Sequence, residues 1–237
     1  GACAPARCGL RGRQPRYTEA MQIALRMPEV VDAMLVASTD EAVDHGVVYT
    51  QPWVVALILD LVGYHEERDL AVLTALEPSC GAGAFLVEMA RRLARSARAH
   101  DRSLKACADS IIAVELDDRS AALARDAVID ALRSEGADER VARDLALSWI
   151  RVGDFLTDPD IAVVSADIVV GNPPYVRPEA MAAGKLSEYR STYRTLRGRA
   201  DLYVAFYERA IHLLRADGRL GFICADRWML NTYGRAL

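Results

Sequence analysis

The chain of 237 residues is 52% hydrophobic and 26% charged, with 29 basic against 33 acidic residues and a net charge of -4. This is enough apolar material to bury a sizeable core, which excludes disorder as the overall state. The acidic balance excludes a wholly basic nucleic-acid coat but leaves local patches open. No run of about eighteen uncharged apolar residues occurs and no apolar leader precedes Tyr17, so the expectation is a soluble, cytoplasmic protein with no membrane span. Cys3, Cys8, Cys80, Cys107 and Cys224 are scattered and never spaced C-x-x-C, which predicts reduced thiols and offers no metal site.

In chain order, residues 1–16 carry Arg7, Arg11, Arg13 and Arg16 without an apolar period and predict a flexible basic tail; residues 17–237 predict one domain. Tyr17 to Val36 has helical periodicity, interrupted at Pro28. Thr50 is the expected N-cap of a helix with Pro52 in its first turn and Gly63 as its stop, a frame that holds Trp53, Leu57, Ile58 and Leu61. Short apolar runs at Leu73 to Leu76, Ile111 to Val114, Ile150 to Val152, Ile168 to Val170 and Leu220 to Ile223 then predict strands. Helical segments at Phe85 to Arg98, Arg119 to Arg133 and Leu202 to Arg215 lie between them. Strands that alternate with helices predict an α/β fold with a mostly parallel sheet.

Ligands of such sheets bind beyond the carboxyl ends of the strands, where loops and helix N-termini converge with unpaired backbone donors. Four of the predicted strands run into chemically pointed sequences there. The loop Glu77, Pro78, Ser79, Cys80, Gly81, Ala82, Gly83 permits a tight turn with close approach to a ligand, or is an ordinary glycine turn. It lacks the Lys-Ser/Thr of a P-loop, which disfavours nucleoside triphosphate hydrolysis. Glu115 is placed to accept from both hydroxyls of a ribose, or is a plain surface glutamate. Asp154 and Phe155 offer a carboxylate for an exocyclic amine beside a flat ring, although Asp154 also suits a helix N-cap.

The most specific signal is Asn172, Pro173, Pro174, Tyr175, directly after the strand that ends near Val170. Two consecutive prolines bring carbonyls and no backbone donors, so the tetrapeptide presents acceptors, one amide and one aromatic face. That set suits gripping a planar amine through its N–H groups while stacking on the attached ring. An aromatic amine is a poor nucleophile because its lone pair is delocalised. Two well-placed acceptors favour a pyramidal nitrogen with a localised lone pair, and no strong general base is then needed because the proton leaves after transfer. The alternative is a rigid turn with Tyr175 in the core.

Together with GVVYTQPWVV from Gly46, EPSCGAGAFL from Glu77, AVELDD from Ala113, GDFL from Gly153, the segment from Ala200 to Ile223 and ADRWMLNTYGRAL from Ala225, this motif resembles the Eco57I-type restriction-modification DNA N6-adenine methyltransferases, from about His45 onward. The resemblance implies a Rossmann-like S-adenosylmethionine-dependent methyltransferase fold and S-adenosyl-L-methionine as cofactor. It implies that Tyr49, Thr50, Pro52, Glu77, Cys80, Gly81 and Gly83 contact the methionine moiety, Glu115 the ribose, and Asp154 with Phe155 the adenine. Asn172 and the Pro173 carbonyl would hold the target amine, with Tyr175 stacking on an adenine flipped out of double-stranded DNA. The motif order implies that a target-recognition domain follows the catalytic domain; with the chain ending at Leu237, that domain is expected to be missing here. No endonuclease motif is recognisable before the methylase motifs.

The same tetrapeptide occurs in glutamine N5 protein methyltransferases, whose carboxamide nitrogen has the same delocalised lone pair. DNA is favoured by the segment from Val176 to Arg199, where Arg177, Lys185, Arg190, Arg194, Arg197 and Arg199 face only Glu179 and Glu188 and are interleaved with Tyr189 and Tyr193. That segment is expected to be a DNA-facing loop or short helix rather than core. A non-catalytic cofactor- or DNA-binding module of a defence complex is the reading of a different class, against which the intact Asn172 and Tyr175 speak.

Overall fold

The computed structural model describes residues 50–224, so the basic tail, the helical stretch expected from Tyr17 to Val36 with a second helix opening at Pro28, and Tyr49 lie outside the described residues. Helix α1 runs Pro52–Leu61, and its N-cap is Gln51, in extended conformation with φ -63° and ψ 140°, rather than the expected Thr50. Pro52 has no N–H to satisfy, which suits the first turn, and Gly63 at φ +75° ends the helix as expected. The buried face of α1 is Val54, Val55 and Leu59; Trp53, Leu57 and Leu61 are exposed.

The remaining elements are β1 Ala75–Glu77, α2 Ala84–Ala99, β2 Ile111–Glu115, α3 Asp118–Ser134, α4 Glu139–Trp149, β3 Ile150–Val152, β4 Ala166–Gly171, α5 Ala183–Thr192, α6 Tyr203–Leu213 and β5 Leu214–Phe222. The five strands form one sheet in the order β3-β2-β1-β4-β5, and every neighbouring pair is parallel. From β1 the chain steps outward to β2 and β3, then returns across β1 to build β4 and β5 on the other side. The strand order therefore reverses between β1 and β4, and loops leaving their carboxyl ends part in opposite directions and open a crevice.

Side chains alternate across the sheet. Ala75, Ile111, Ala113, Ile168 and Val170 face a core shared with Leu59, Phe85, Met89, Leu93, Val128, Leu132 and Trp149 from α1 to α4. Leu76, Val114 and Val169 face a second core with Phe155, Leu196, Tyr203 and Phe206. Burial on both faces explains why these strands read as near-continuous apolar runs. The buried guanidinium of Arg92 ties α2 to α1 through Asp60 Oδ1 at 2.6 Å and to the segment after α1 through the Tyr64 carbonyl at 3.0 Å, and is held within α2 by Glu88 Oε1 at 2.9 Å.

Three elements depart from the sequence expectation. The last helix ends at Leu213 instead of Arg215, and β5 starts at once, with Leu214 opposite Ala166 and Arg219 opposite Ile168. The residues between them on β5 bulge outward, which is why only the later apolar run read as a strand. Helix α4 was not expected; Asp138 caps it by accepting from the Arg140 and Val141 amides, and Leu145 and Trp149 anchor it in the core. No helix among the described residues is long and apolar enough to cross a membrane.

Candidate active site

The expected cofactor loop joins β1 to α2 in the crevice beside β4. Gly81 and Gly83 lie at φ +52° and +93°, the left-handed region that favours glycine. The loop is tied to the neighbouring strand at two points: the Cys80 amide donates to the Val114 carbonyl at 3.0 Å, and the Gly81 amide donates to Glu115 Oε2 at 2.7 Å. The other carboxylate oxygen of Glu115 accepts from the Asp117 amide at 2.9 Å. Glu115 is thus a buried clamp at the end of β2 rather than a surface glutamate, and it orders the glycine loop itself.

Gly83 carries a second constraint. A Cβ there would stand 3.2 Å from Ala124 Cα and 3.3 Å from Ala124 Cβ, so this residue sets how closely α2 starts against α3. Gly83→Ala is expected to destabilise the fold by about 1–3 kcal/mol through left-handed strain and this contact. An unchanged midpoint in urea would contradict it.

Glu77 ends β1 with its carboxyl 1% exposed and Oε2 without a hydrogen-bond partner among the described residues. Burial, reinforced by repulsion from Glu115, holds its pKa well above the usual carboxylate range. The same burial, with Glu77 and Glu115 nearby, raises the pKa of the Cys80 thiol. A Cβ on Gly171, the last residue of β4, would meet Glu77 Cγ and Pro78 Cδ at 3.6 Å each, which shows how closely the ends of β1 and β4 adjoin.

Asn172 follows immediately. Its Nδ2 donates to Thr50 Oγ1 at 3.3 Å, and its Oδ1 is buried with no partner among the described residues. Tyr175 donates its hydroxyl to the Ile223 carbonyl at 3.3 Å and sits 5.8 Å from the Tyr203 ring in a tilted arrangement, half-buried against the second core. The structure thus brings Thr50, Glu77, Cys80, Gly81, Gly83, Glu115 and Asn172 to Tyr175 to the same end of the sheet.

Asp154 and Phe155 reach the end of β3, yet both are engaged internally. Asp154 Oδ1 accepts from the Leu156 amide at 3.0 Å, and Oδ2 accepts from Thr157 Oγ1 at 2.9 Å, Tyr189 at 2.7 Å and Lys185 Nζ at 2.7 Å. No helix starts at Asp154, so the N-cap expected as an alternative is replaced by a cap on the turn that follows β3. Burial pushes its pKa up, but hydrogen bonds from Lys185, Tyr189, Thr157 and the Leu156 amide outweigh this and hold it below the ordinary value. Phe155 is 2% exposed, stacked on Phe206 at 5.1 Å with the Arg209 guanidinium over its ring, and so presents no open face.

The segment expected to face DNA outside the core is corrected in the same way. It holds the short helix α5, but Tyr189, Tyr193 and Leu196 are buried in the second core, and neither tyrosine is presented for stacking on a base. Tyr193 donates to the Leu156 carbonyl, which receives Arg209 Nη1 as well. Alternation of charged and apolar residues concealed a one-sided buried face. Arg177, Arg190, Arg194, Arg197 and Arg199 lie on the exposed side, whereas Lys185 is half-buried between Asp154 and Glu188. Two partnerships had no local signal in the sequence: Lys185 with Asp154, and Thr50 with Asn172, which are 122 positions apart.

Known proteins resemble this arrangement. The chain is 46% identical over 195 residues to the type II methyltransferase M.PaeR7I of Pseudomonas aeruginosa, an alignment covering 81% of this chain and 34% of that protein. It is 44% identical over 198 residues to the type II methyltransferase M.XhoI of Xanthomonas vasicola, covering 82% and 36% respectively. The chain thus spans about a third of the length of these curated relatives. Among solved structures, a Listeria monocytogenes protein described as a class I S-adenosylmethionine-dependent methyltransferase superposes with a TM-score of 0.54 at 18% identity, over 87% of this chain and 55% of that one. The M protein of the type I restriction enzyme EcoKI superposes with a TM-score of 0.51 at 19% identity, over 83% of this chain and 37% of that one. The fold is therefore that of class I methyltransferases. Residues 110–237, more than half the chain and all of β2 to β5, match the Eco57I restriction-modification methylase family, and the chain belongs to that family.

Proposed function

We propose that the chain binds S-adenosyl-L-methionine in the crevice between β1 and β4 and methylates the N6 amine of adenine in DNA within a restriction-modification system. One observation carries this reading: two buried oxygens without partners among the described residues, Glu77 Oε2 and Asn172 Oδ1, stand at the ends of the adjacent central strands where the strand order reverses. Unpaired buried polar atoms cost about 1–3 kcal/mol each, and a ligand that donates hydrogen bonds to them offsets that cost.

These residues fit the cofactor. Glu77 and the Cys80 to Gly83 turn suit a cationic amino-acid group, while Glu115, already fixed by two backbone amides, keeps lone pairs for ribose hydroxyls. The cofactor, when bound, supplies an electrophilic methyl group. The chain does the rest: Asn172 Oδ1 and the Pro173 carbonyl accept from the target amine and localise its lone pair, Tyr175 supports the base, and the proton departs after transfer. An adenine paired in duplex DNA cannot present N6 to a buried strand end, so the base must leave the stack. The exposed arginines from Arg177 to Arg199 are suited to the phosphates that flank it.

Glu115→Ala tests the cofactor site. Loss of the clamp and of the ribose acceptor is expected to weaken S-adenosyl-L-methionine binding by about 1–3 kcal/mol in calorimetry. Unchanged affinity would remove Glu115 from the site and take the crevice assignment with it.

A further inference from the structure

We infer that Thr50 is a positioning residue for methyl transfer: its hydroxyl accepts from Asn172 Nδ2 and so anchors the carboxamide with Oδ1 left for the target amine. This rests on the reading of Asn172 as the amine-gripping residue. A carboxamide has nearly the same shape when rotated half a turn about its last torsion, and that torsion is soft, yet the two orientations are chemically opposite. With Oδ1 toward the target, the amide accepts an N–H; inverted, it opposes N–H to N–H and repels the amine. Something must therefore set the orientation before the base arrives.

Pro173 and Pro174 have no amide hydrogen with which to hold Oδ1, so the motif itself does not fix the carboxamide by donating to it. Thr50 can fix it. Its Oγ1 accepts from Nδ2 at 3.3 Å, which leaves Oδ1 buried and open. Thr50 is itself 7% exposed and directly precedes α1. The helix packs closely on β5: a Cβ on Gly221 would fall 2.7 Å from Val62 Cγ1 and 2.8 Å from Ile58 Cγ2, so only glycine lets the two elements come this near. The anchor of the amide is thus seated through a close contact on the far side of β4 from β1. This differs from the methionine contact implied for Thr50 by resemblance, which would act on cofactor affinity instead of on the rate of transfer.

The test is made in the intact methyltransferase with adenine-containing duplex and saturating S-adenosyl-L-methionine. Thr50→Val keeps the shape and removes the acceptor, and is expected to slow single-turnover methylation about tenfold, the size of one lost hydrogen bond, while calorimetric cofactor affinity stays within about twofold. Thr50→Ala, which also lacks the acceptor, should behave alike, and Thr50→Ser, which keeps it, should restore the rate. Because Thr50 acts through Asn172, the double variant Thr50→Val/Asn172→Ala should be no slower than Asn172→Ala alone. A normal rate in Thr50→Val, a loss confined to cofactor affinity, or single effects that multiply in the double variant would each overturn the inference while leaving the role of Asn172 intact. A near-normal rate in Asn172→Ala would overturn the methyl-transfer reading as well.

Discussion

Asn172→Ala is expected to depress single-turnover methylation by at least about a hundredfold, comparable with the loss of one preorganised transition-state hydrogen bond. The size follows from the nucleophile. The lone pair of an aromatic amine is shared with its ring, so attack requires the nitrogen to become pyramidal, and acceptors that hold both N–H groups out of the ring plane stabilise that geometry. Removing one of the two leaves the amine planar for most of its residence in the site. Stability should fall far less than activity, because the substitution gives up one hydrogen bond, from Nδ2 to Thr50 Oγ1, and removes a buried acceptor that has no partner among the described residues. Cofactor affinity measured by calorimetry should hold. A variant that lost rate only because it melted early would point to a structural turn instead.

Glu77→Gln is expected to move stability and cofactor binding in opposite directions. Burial, with Glu115 nearby, raises the folded-state pKa of Glu77, so folding favours its protonated form. Below the unfolded pKa of about 4.3 both states are protonated and the variant and parent are equally stable. As pH rises past that value the unfolded chain releases its proton first, and the parent loses stability until its own raised pKa is passed. Glutamine does not titrate. At neutral pH the ligand-free variant should therefore be the more stable of the two, with the gap closing in acid. A cationic ligand group reverses the preference, since it favours the ionised carboxylate; binding by the parent should release a proton and binding by the variant should not. Affinity should drop by about 2–4 kcal/mol. Denaturation across pH, with calorimetry in buffers of different ionisation enthalpy, reads both effects.

These two residues also show how far the sequence carries the site. Glu77 and Asn172 were both legible, because each follows a short apolar run and the carboxyl end of a strand in a parallel sheet is a defined place. The turn chemistry around Gly81 and Gly83 was legible for the same reason. What was not legible depended on tertiary pairing. Thr50 looked like a helix cap by residue type, but Gln51 takes that position and the Thr50 hydroxyl turns to Asn172. Phe155 looked like an open stacking surface, but Phe206 and Arg209 close over it. The run from Val176 to Arg199 looked solvated because its charges outnumber its aliphatic residues. Its tyrosines nonetheless bury their rings and direct their hydroxyls to Asp154 and the Leu156 carbonyl, a pattern that phenols permit and periodicity does not reveal.

The proposed activity is defined by one chemical product. The intact protein, incubated with methyl-labelled S-adenosyl-L-methionine and duplex DNA of mixed sequence, should yield labelled N6-methyldeoxyadenosine when the DNA is digested to nucleosides and resolved by mass spectrometry, and Asn172→Ala should remove that peak. Label found on cytosine, label found only on protein glutamine, or DNA left unlabelled by a protein that binds the cofactor normally would contradict it.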